Sequence, residues 1–216
     1  MDEAIEIQNR LRRKLVLKKA FSKLDTIGGA DVSYPKEKDI LCGAIAVFSY
    51  PELKLIDSNA LRGRISFPYI PGLLAFREGP ILLKAFEKLR IKPDLIIFEG
   101  HGIAHPRGLG LASHLGLWLD IPSIGCAKNP LVRKFQSPGL FRGSVKWVSM
   151  EDERVGAILR TKDRVKPVFV SPGHQIDLET SIQIILAACR GYRMPEPLRK
   201  AHQLSQAAGS QTSCLK

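Results

Sequence analysis

DLIIFEGHGIAHPRGLGLASHLG, Asp94 to Gly116, decides the fold. Leu95–Phe98 is a short β-branched and aromatic run that reads as a strand buried on both faces. Glu99 stands at its C-terminal edge, and a loop carrying Gly100, Gly102, Gly108 and Gly110 brings in His101, His105 and Arg107 before apolar periodicity resumes in a helix expected over 109–119. Strand, glycine-rich loop, helix is the unit of an α/β sheet, and the carboxyl edge of such a strand is where a side chain is both fixed and accessible. An acid, imidazoles, a guanidinium and exposed backbone amides at that edge suit a metal and a phosphate.

Working outward, three strand-like runs precede this unit, at 26–34, 41–50 and 53–66, joined by YPKEKD and YPE turns short enough for antiparallel hairpins. The breaker FPYIPG (Phe67–Gly72) introduces a helix expected over 73–90. After the central unit come a short strand at 123–126, a β region at 144–161 and 167–170, and two helices near 178–188 and 196–207. Residues 3–22 read as an amphipathic helix, with Ala4, Ile7, Leu11 and Leu15 at helical spacing and six cations largely on the other faces. That basic run is first a solvated helix face and only second a phosphate track. The order implies an α/β fold with a mixed central sheet flanked by helices. Without an internal repeat or low-complexity linker, one domain is expected over 1–208, with a flexible tail at 209–216.

The balance of 33 Lys+Arg against 21 Asp+Glu gives a net charge of +12, which favours a polyanionic partner, nucleic acid before a membrane surface. Cys42, Cys126, Cys189 and Cys214 show no close pairing, so neither a CxxC metal site nor a disulfide framework is expected, and a reducing, cytoplasmic location fits. No signal peptide and no membrane-spanning run is apparent.

Three acids occupy privileged positions: Asp31 inside the first strand run, Glu78 in the first turns of the helix after the breaker, and Glu99. A charge among apolar strand neighbours is costly unless paired or metal-bound. If the first and fourth strands are neighbours, Asp31 and Glu99 meet at one edge and the helix lowers Glu78 onto them. Three carboxylates without Cys point to hard cations such as Mg²⁺ or Mn²⁺, which can drive phosphodiester hydrolysis. Each acid also has an ordinary reading: Asp31 as a pairing residue, Glu78 in an ion pair with Arg77 or Lys84, Glu99 as a loop cap. His101 and His105 are four apart, but the segment lacks the Glu and the helix of a zinc HExxH pair. Pro68 and Pro71 stiffen a loop that presents Tyr69, an aromatic tip suited to wedging into a duplex or to packing on the protein's own surface.

ADVSY (Ala30–Tyr34), FPYIPGLLAFREGP (Phe67–Pro80), GHGIAHPRGLGLASHLGL (Gly100–Leu117), IPSIGCAK (Ile121–Lys128), VFVSPGH (Val168–His174) and MPEPLRKAH (Met194–His202) together resemble the endonuclease V family, the deoxyinosine 3′ endonucleases, in the family's own order. The resemblance implies a ribonuclease-H-like fold and a DNA repair enzyme, acting as a monomer with Mg²⁺ (Mn²⁺ substituting). It would nick DNA at the second phosphodiester bond 3′ to hypoxanthine, leaving a 3′-hydroxyl and a 5′-phosphate. It further implies Asp31, Glu99 and Glu78 as the metal-binding cluster and Tyr69 as the wedge. Pro71, Gly72, Leu74, Gly100, Gly110 and Leu111 would line the hypoxanthine pocket. Lys128 would lie near the scissile phosphate, with His105 and His202 near the catalytic cluster. One position departs: the family has Asp where this chain has Glu99. The added methylene lengthens the reach by about 1.5 Å, against the strict octahedral geometry Mg²⁺ prefers. Two alternatives follow, an endoribonuclease specific for inosine in RNA and a lesion-binding protein whose catalysis Glu99 has impaired.

Overall fold

The computed structural model describes residues 1–131 and 136–210. Eight strands form one mixed sheet, β1 (Thr26–Ser33), β2 (Ile40–Ser49), β3 (Leu55–Arg64), β4 (Leu95–Phe98), β5 (Ser123–Ala127), β6 (Val145–Met150), β7 (Glu153–Leu159) and β8 (Val168–His174), in the order β3-β2-β1-β4-β5-β8-β7-β6. β1, β4 and β5 are parallel and every other pairing is antiparallel. Five helices accompany the sheet: α1 (Asp2–Arg12), α2 (Leu74–Glu87), α3 (Leu111–Leu119), α4 (Leu178–Ala188) and α5 (Glu196–Ser210). This is the ribonuclease-H-like α/β arrangement that the motifs imply.

The alternation along β4 shows why the sheet is covered on both sides. Leu95 and Ile97 join one core with Ile27, Ile185, Leu198 and Ala201, under α4 and α5. Ile96 and Phe98 join the other with Ile45, Ile81, Leu82 and Leu115, under α2 and α3. Side chains of a strand alternate between faces, so an unbroken apolar run is stable only where both faces are buried.

Three readings of the sequence are corrected. The first helix ends at Arg12 instead of continuing to position 22. Val16 instead hydrogen-bonds the far end of β8, accepting from the Gln175 amide at 2.7 Å and donating to His174 Nδ1 at 3.3 Å, and these tertiary bonds outweigh local helix propensity. The β region at 144–161 is a hairpin broken at Glu151 and Asp152, both at positive φ. Such turns usually advertise themselves with glycine, and this one does not. α5 runs to Ser210, past the end near 207 expected for the last helix, while positions 211–216, with Cys214, lie outside the described residues.

Gly29 brings α5 to the sheet. A Cβ there would lie 2.2 Å from the backbone carbon of Pro197, so only glycine lets the N-terminal turn of α5 rest on β1. Gly29→Ala is expected to lower the melting temperature by about 2–12 °C through overpacking of 1–3 kcal/mol; thermal unfolding followed by far-UV circular dichroism measures it.

Candidate active site

The parallel pairing of β1 with β4 sets Ala30 against Phe98, so the next residues, Asp31 and Glu99, emerge side by side at the sheet's edge. The Glu99 amide donates to the Ala30 carbonyl at 3.0 Å and extends that register by one bond. Asp31 is buried; His202 Nδ1, from α5, donates to its Oδ2 at 2.7 Å. Glu99 accepts from the backbone amide of Lys128 at 3.3 Å, at the end of β5. Asp31, Glu99, Lys128 and His202 line one cavity of about 120 Å³, together with Met194, Leu198 and Arg199.

Glu78 is buried on α2 and makes no ion pair with Arg77 or Lys84 among the described residues; it accepts from the Tyr34 hydroxyl at 2.8 Å. Burial pushes its carboxyl up to about 7, the Tyr34 bond opposes that shift, and the charges of Glu99 and Asp31 add to it. Burial also raises Glu99, with the Lys128 ammonium pulling it back down and the charge of Asp31 reinforcing the rise. Three carboxylates thus feel one another in a poorly solvated region, which is the electrostatic situation a divalent cation relieves. The donors are all oxygen and suit a hard ion. As placed, no three His, Cys, Asp or Glu side chains among the described residues close around one point, because Glu78 is turned towards Tyr34.

Beside this cavity lies another of about 130 Å³, lined by Tyr69, Pro71, Gly72, Leu74, Gly100, Gly110 and Leu111, with Gln8, His101 and His105. Every residue that the resemblance assigns to the hypoxanthine pocket faces this one space. His105 lines this cavity, next to the acidic one. Its Nε2–H donates to the Gly72 carbonyl at 3.1 Å while Nδ1 accepts from the Arg107 amide at 3.2 Å. Burial, assisted by the Arg107 charge, lowers it to about 4, so the ring is neutral at pH 7. His101 Nε2–H donates to the Asn129 carbonyl at 3.1 Å, so the two histidines turn their Nε2 atoms to separate carbonyls.

Gln8 was not legible as a site residue. Its amide nitrogen donates to the carbonyls of Gly72 at 2.9 Å and Leu109 at 3.1 Å, and its oxygen accepts from Arg107 Nε at 2.5 Å. The one trace in the sequence is its spacing, four after Ala4, which sets both on the inward face of α1. Arg107 Nη2 also donates to the Gly72 carbonyl, at 2.7 Å. That carbonyl therefore serves three donors and is spent on holding the loop, in which Gly72 sits at φ +81°. Behind the pocket, Phe67 stacks on Phe76 of α2 with ring centroids 5.6 Å apart, and Arg77 Nη1 donates to the Phe67 carbonyl at 2.7 Å. So braced, the loop presents Tyr69 with 69% of its surface exposed at the rim.

A family model described as Endonuclease V matches residues 9–203. This chain belongs to the endonuclease V family. The endonuclease V of Dictyoglomus turgidum is 51% identical over 205 residues, covering 95% of this chain and 89% of the relative. The crystal structure of endonuclease V from Streptomyces avermitilis superposes with a TM-score of 0.90 at 41% identity, covering 96% of this chain and 92% of that one. The Ciona intestinalis endonuclease V, solved with a 24mer DNA containing an inosine followed by a ribo-adenosine, matches with a TM-score of 0.85 at 29% identity, over 95% and 96% of the two chains. The chain is thus a member of a nuclease family and shares its fold.

The raised Glu78 carboxyl has a consequence for stability. Its folded value of about 7 exceeds the ordinary 4.5, so folding favours the protonated form. That contribution is complete below about pH 4.5 and is lost as pH rises through about 7. With metal removed by chelation, the melting temperature is expected to fall between pH 5 and pH 8. Glu78→Gln should flatten that slope, and added Mg²⁺ should stabilise more at pH 8 than at pH 5. A slope unchanged by Glu78→Gln assigns the loss to other groups.

Proposed function

We propose that this protein is a DNA repair endonuclease that cuts DNA containing deoxyinosine at the second phosphodiester bond 3′ to the hypoxanthine, by metal-dependent hydrolysis leaving a 3′-hydroxyl and a 5′-phosphate. The observation that carries this reading is the adjacency of Glu99 and Gly100: one peptide unit joins the wall of the acidic cavity to the wall of the base-sized one. A nucleotide bound in the second cavity therefore presents its 3′ backbone to the first at a nearly fixed spacing, which suits cutting at a set distance from the lesion and leaving the base attached.

Tyr69 on its proline-stiffened loop fills the space in the duplex left by the extruded nucleotide. Gly110 caps α3 without a side-chain bond, and the Leu111 amide has no backbone partner among the described residues. It is the donor suited to O6 of hypoxanthine. Adenine offers an amino group there and would leave that amide unpaired, at about 1–3 kcal/mol. His202 holds Asp31 in orientation, and the Lys128 ammonium faces the phosphate. When bound by Asp31 and Glu99 with Glu78 completing the set, Mg²⁺, or Mn²⁺ in its place, supplies a polarised water and neutralises charge on the phosphate. Glu78 would then exchange Tyr34 for the ion. Glu99 keeps the charge and donor type of Asp, which supports it as a ligand despite its longer reach. Both cavities are completed within one chain, which fits a monomer, and the buried unpaired thiols of Cys42, Cys126 and Cys189 fit a reducing cytoplasm. No helix among the described residues is long and apolar enough to cross a membrane.

The ribo-adenosine after the inosine in the Ciona complex favours a second substrate, inosine in RNA. The deciding assay offers matched deoxyinosine duplex and inosine RNA with Mg²⁺ or Mn²⁺ and maps the cut. Cleavage of the duplex one nucleotide beyond the lesion's own 3′ phosphate is expected; cleavage of RNA alone would reassign the substrate. Glu99→Gln should slow the reaction by at least about 100-fold, and an unchanged rate at saturating metal would remove Glu99 from the ligand set. Tight lesion binding without cleavage, unrescued by Glu99→Asp, would make this a binding protein.

A further inference from the structure

Among the described residues, Arg199 is the one charged side chain lining the acidic cavity to which nothing above gives a task. It lies on the first turn of α5, in the cavity wall with Asp31, Glu99, Lys128 and His202. Electrostatics alone would draw a guanidinium in that position onto the nearest carboxylates. It goes elsewhere. Nη1 donates to both oxygens of Glu196, at 2.8 Å each, and the guanidinium carbon lies 3.3 Å from the centroid of the Tyr192 ring. Among the described residues no ion pair joins it to Asp31 or Glu99, and neither Nε nor Nη2 has a hydrogen-bond partner.

Two neighbours, one aromatic and one acidic, therefore hold this guanidinium off the metal-side carboxylates and leave the remaining donors of its fork unused. A planar group held at one face and one corner keeps its remaining donors available at the cavity that Arg199 lines, and the ligand that matches them is a phosphate oxygen pair. We propose that Arg199 is a catalytic residue that grips the phosphate at the cut, with Tyr192 and Glu196 as positioning residues that keep it from collapsing onto Asp31 and Glu99. The proposal rests on the nuclease reading above. It gives the cavity two cationic side chains, Arg199 and Lys128, for the phosphate that the carboxylates would by themselves repel. The bland alternative is an i,i+3 ion pair that only stiffens the start of α5, and such a pair would touch stability and nothing else.

The test uses the full chain and a deoxyinosine duplex, with inosine RNA in parallel. Single-turnover cleavage is compared for the parent, Arg199→Ala, Arg199→Lys and Tyr192→Ala, with melting temperatures recorded for each. Arg199→Ala is expected to cut on the order of 100-fold more slowly, Arg199→Lys to recover less than the full rate because a point charge lacks the fork, and Tyr192→Ala to fall between. A binding cycle then separates contact from scaffolding. Metal-free affinity is measured for duplexes with a normal or a methylphosphonate linkage at the cut. Neutralising that phosphate should weaken the parent several-fold more than Arg199→Ala, a difference that a purely structural role cannot produce. If the parent cleaves and Arg199→Ala cleaves equally fast, or if the methylphosphonate costs both proteins the same affinity, the clamp is wrong while the nuclease reading stands. If the parent cuts neither substrate, the nuclease reading fails and the clamp falls with it.

Discussion

The parallel hydrogen bonding of β1 to β4 is the constraint on which the rest of the structure depends. Its register sets two carboxylates side by side at the carboxyl edge of a sheet whose faces are both closed by apolar side chains. Nothing local favours that juxtaposition, because like charges in a poorly solvated region repel. The two cores, on opposite faces, supply the cohesion that holds the pairing against the repulsion, and burial raises the carboxyls of Glu78 and Glu99. The neighbours that soften the repulsion come from different elements: Tyr34 from the end of β1, Lys128 from the end of β5 and His202 from α5.

The overall charge and the local charge have opposite signs, and the two serve different ranges. An excess of 12 cations over acids acts across the Debye length and draws a polyanion to the surface. Within the cavity the carboxylates act over a few ångströms and would turn a phosphate away unless cations intervene. Arg199 and Lys128 line the same cavity as Asp31 and Glu99 and supply those cations. Glu196 and the Tyr192 ring hold the Arg199 guanidinium, so it does not pair with Asp31 or Glu99 among the described residues.

The base-sized cavity is built by a different means. Its walls are largely backbone and aliphatic, and its shape depends on the Gly72 carbonyl being gripped by Gln8, His105 and Arg107 from two separate segments. A neutral His105 is essential to that grip, because one ring nitrogen donates while the other accepts. The same burial that raises the carboxyls lowers this imidazole, so one physical term prepares both cavities.

Much of this was legible in the residue string. The hairpin strands, the mixed sheet and the helix limits at 178–188 follow from apolar period and turn chemistry, which are local properties. Asp31, Glu78 and Glu99 stood out because a charge inside or at the edge of an apolar run is costly wherever the chain folds. The early end of α1, the glycine-free turn at Glu151 and Asp152, and the parts played by Gln8, His105 and Arg199 were not legible. The early end of α1 and the parts played by Gln8 and His105 rest on contact between segments far apart in the chain, as between Gln8 and Leu109 or between Val16 and Gln175. Residue order specifies which groups must escape water and which must find partners. Packing alone decides which partner each one finds, because burial and hydrogen-bond geometry are properties of the folded chain.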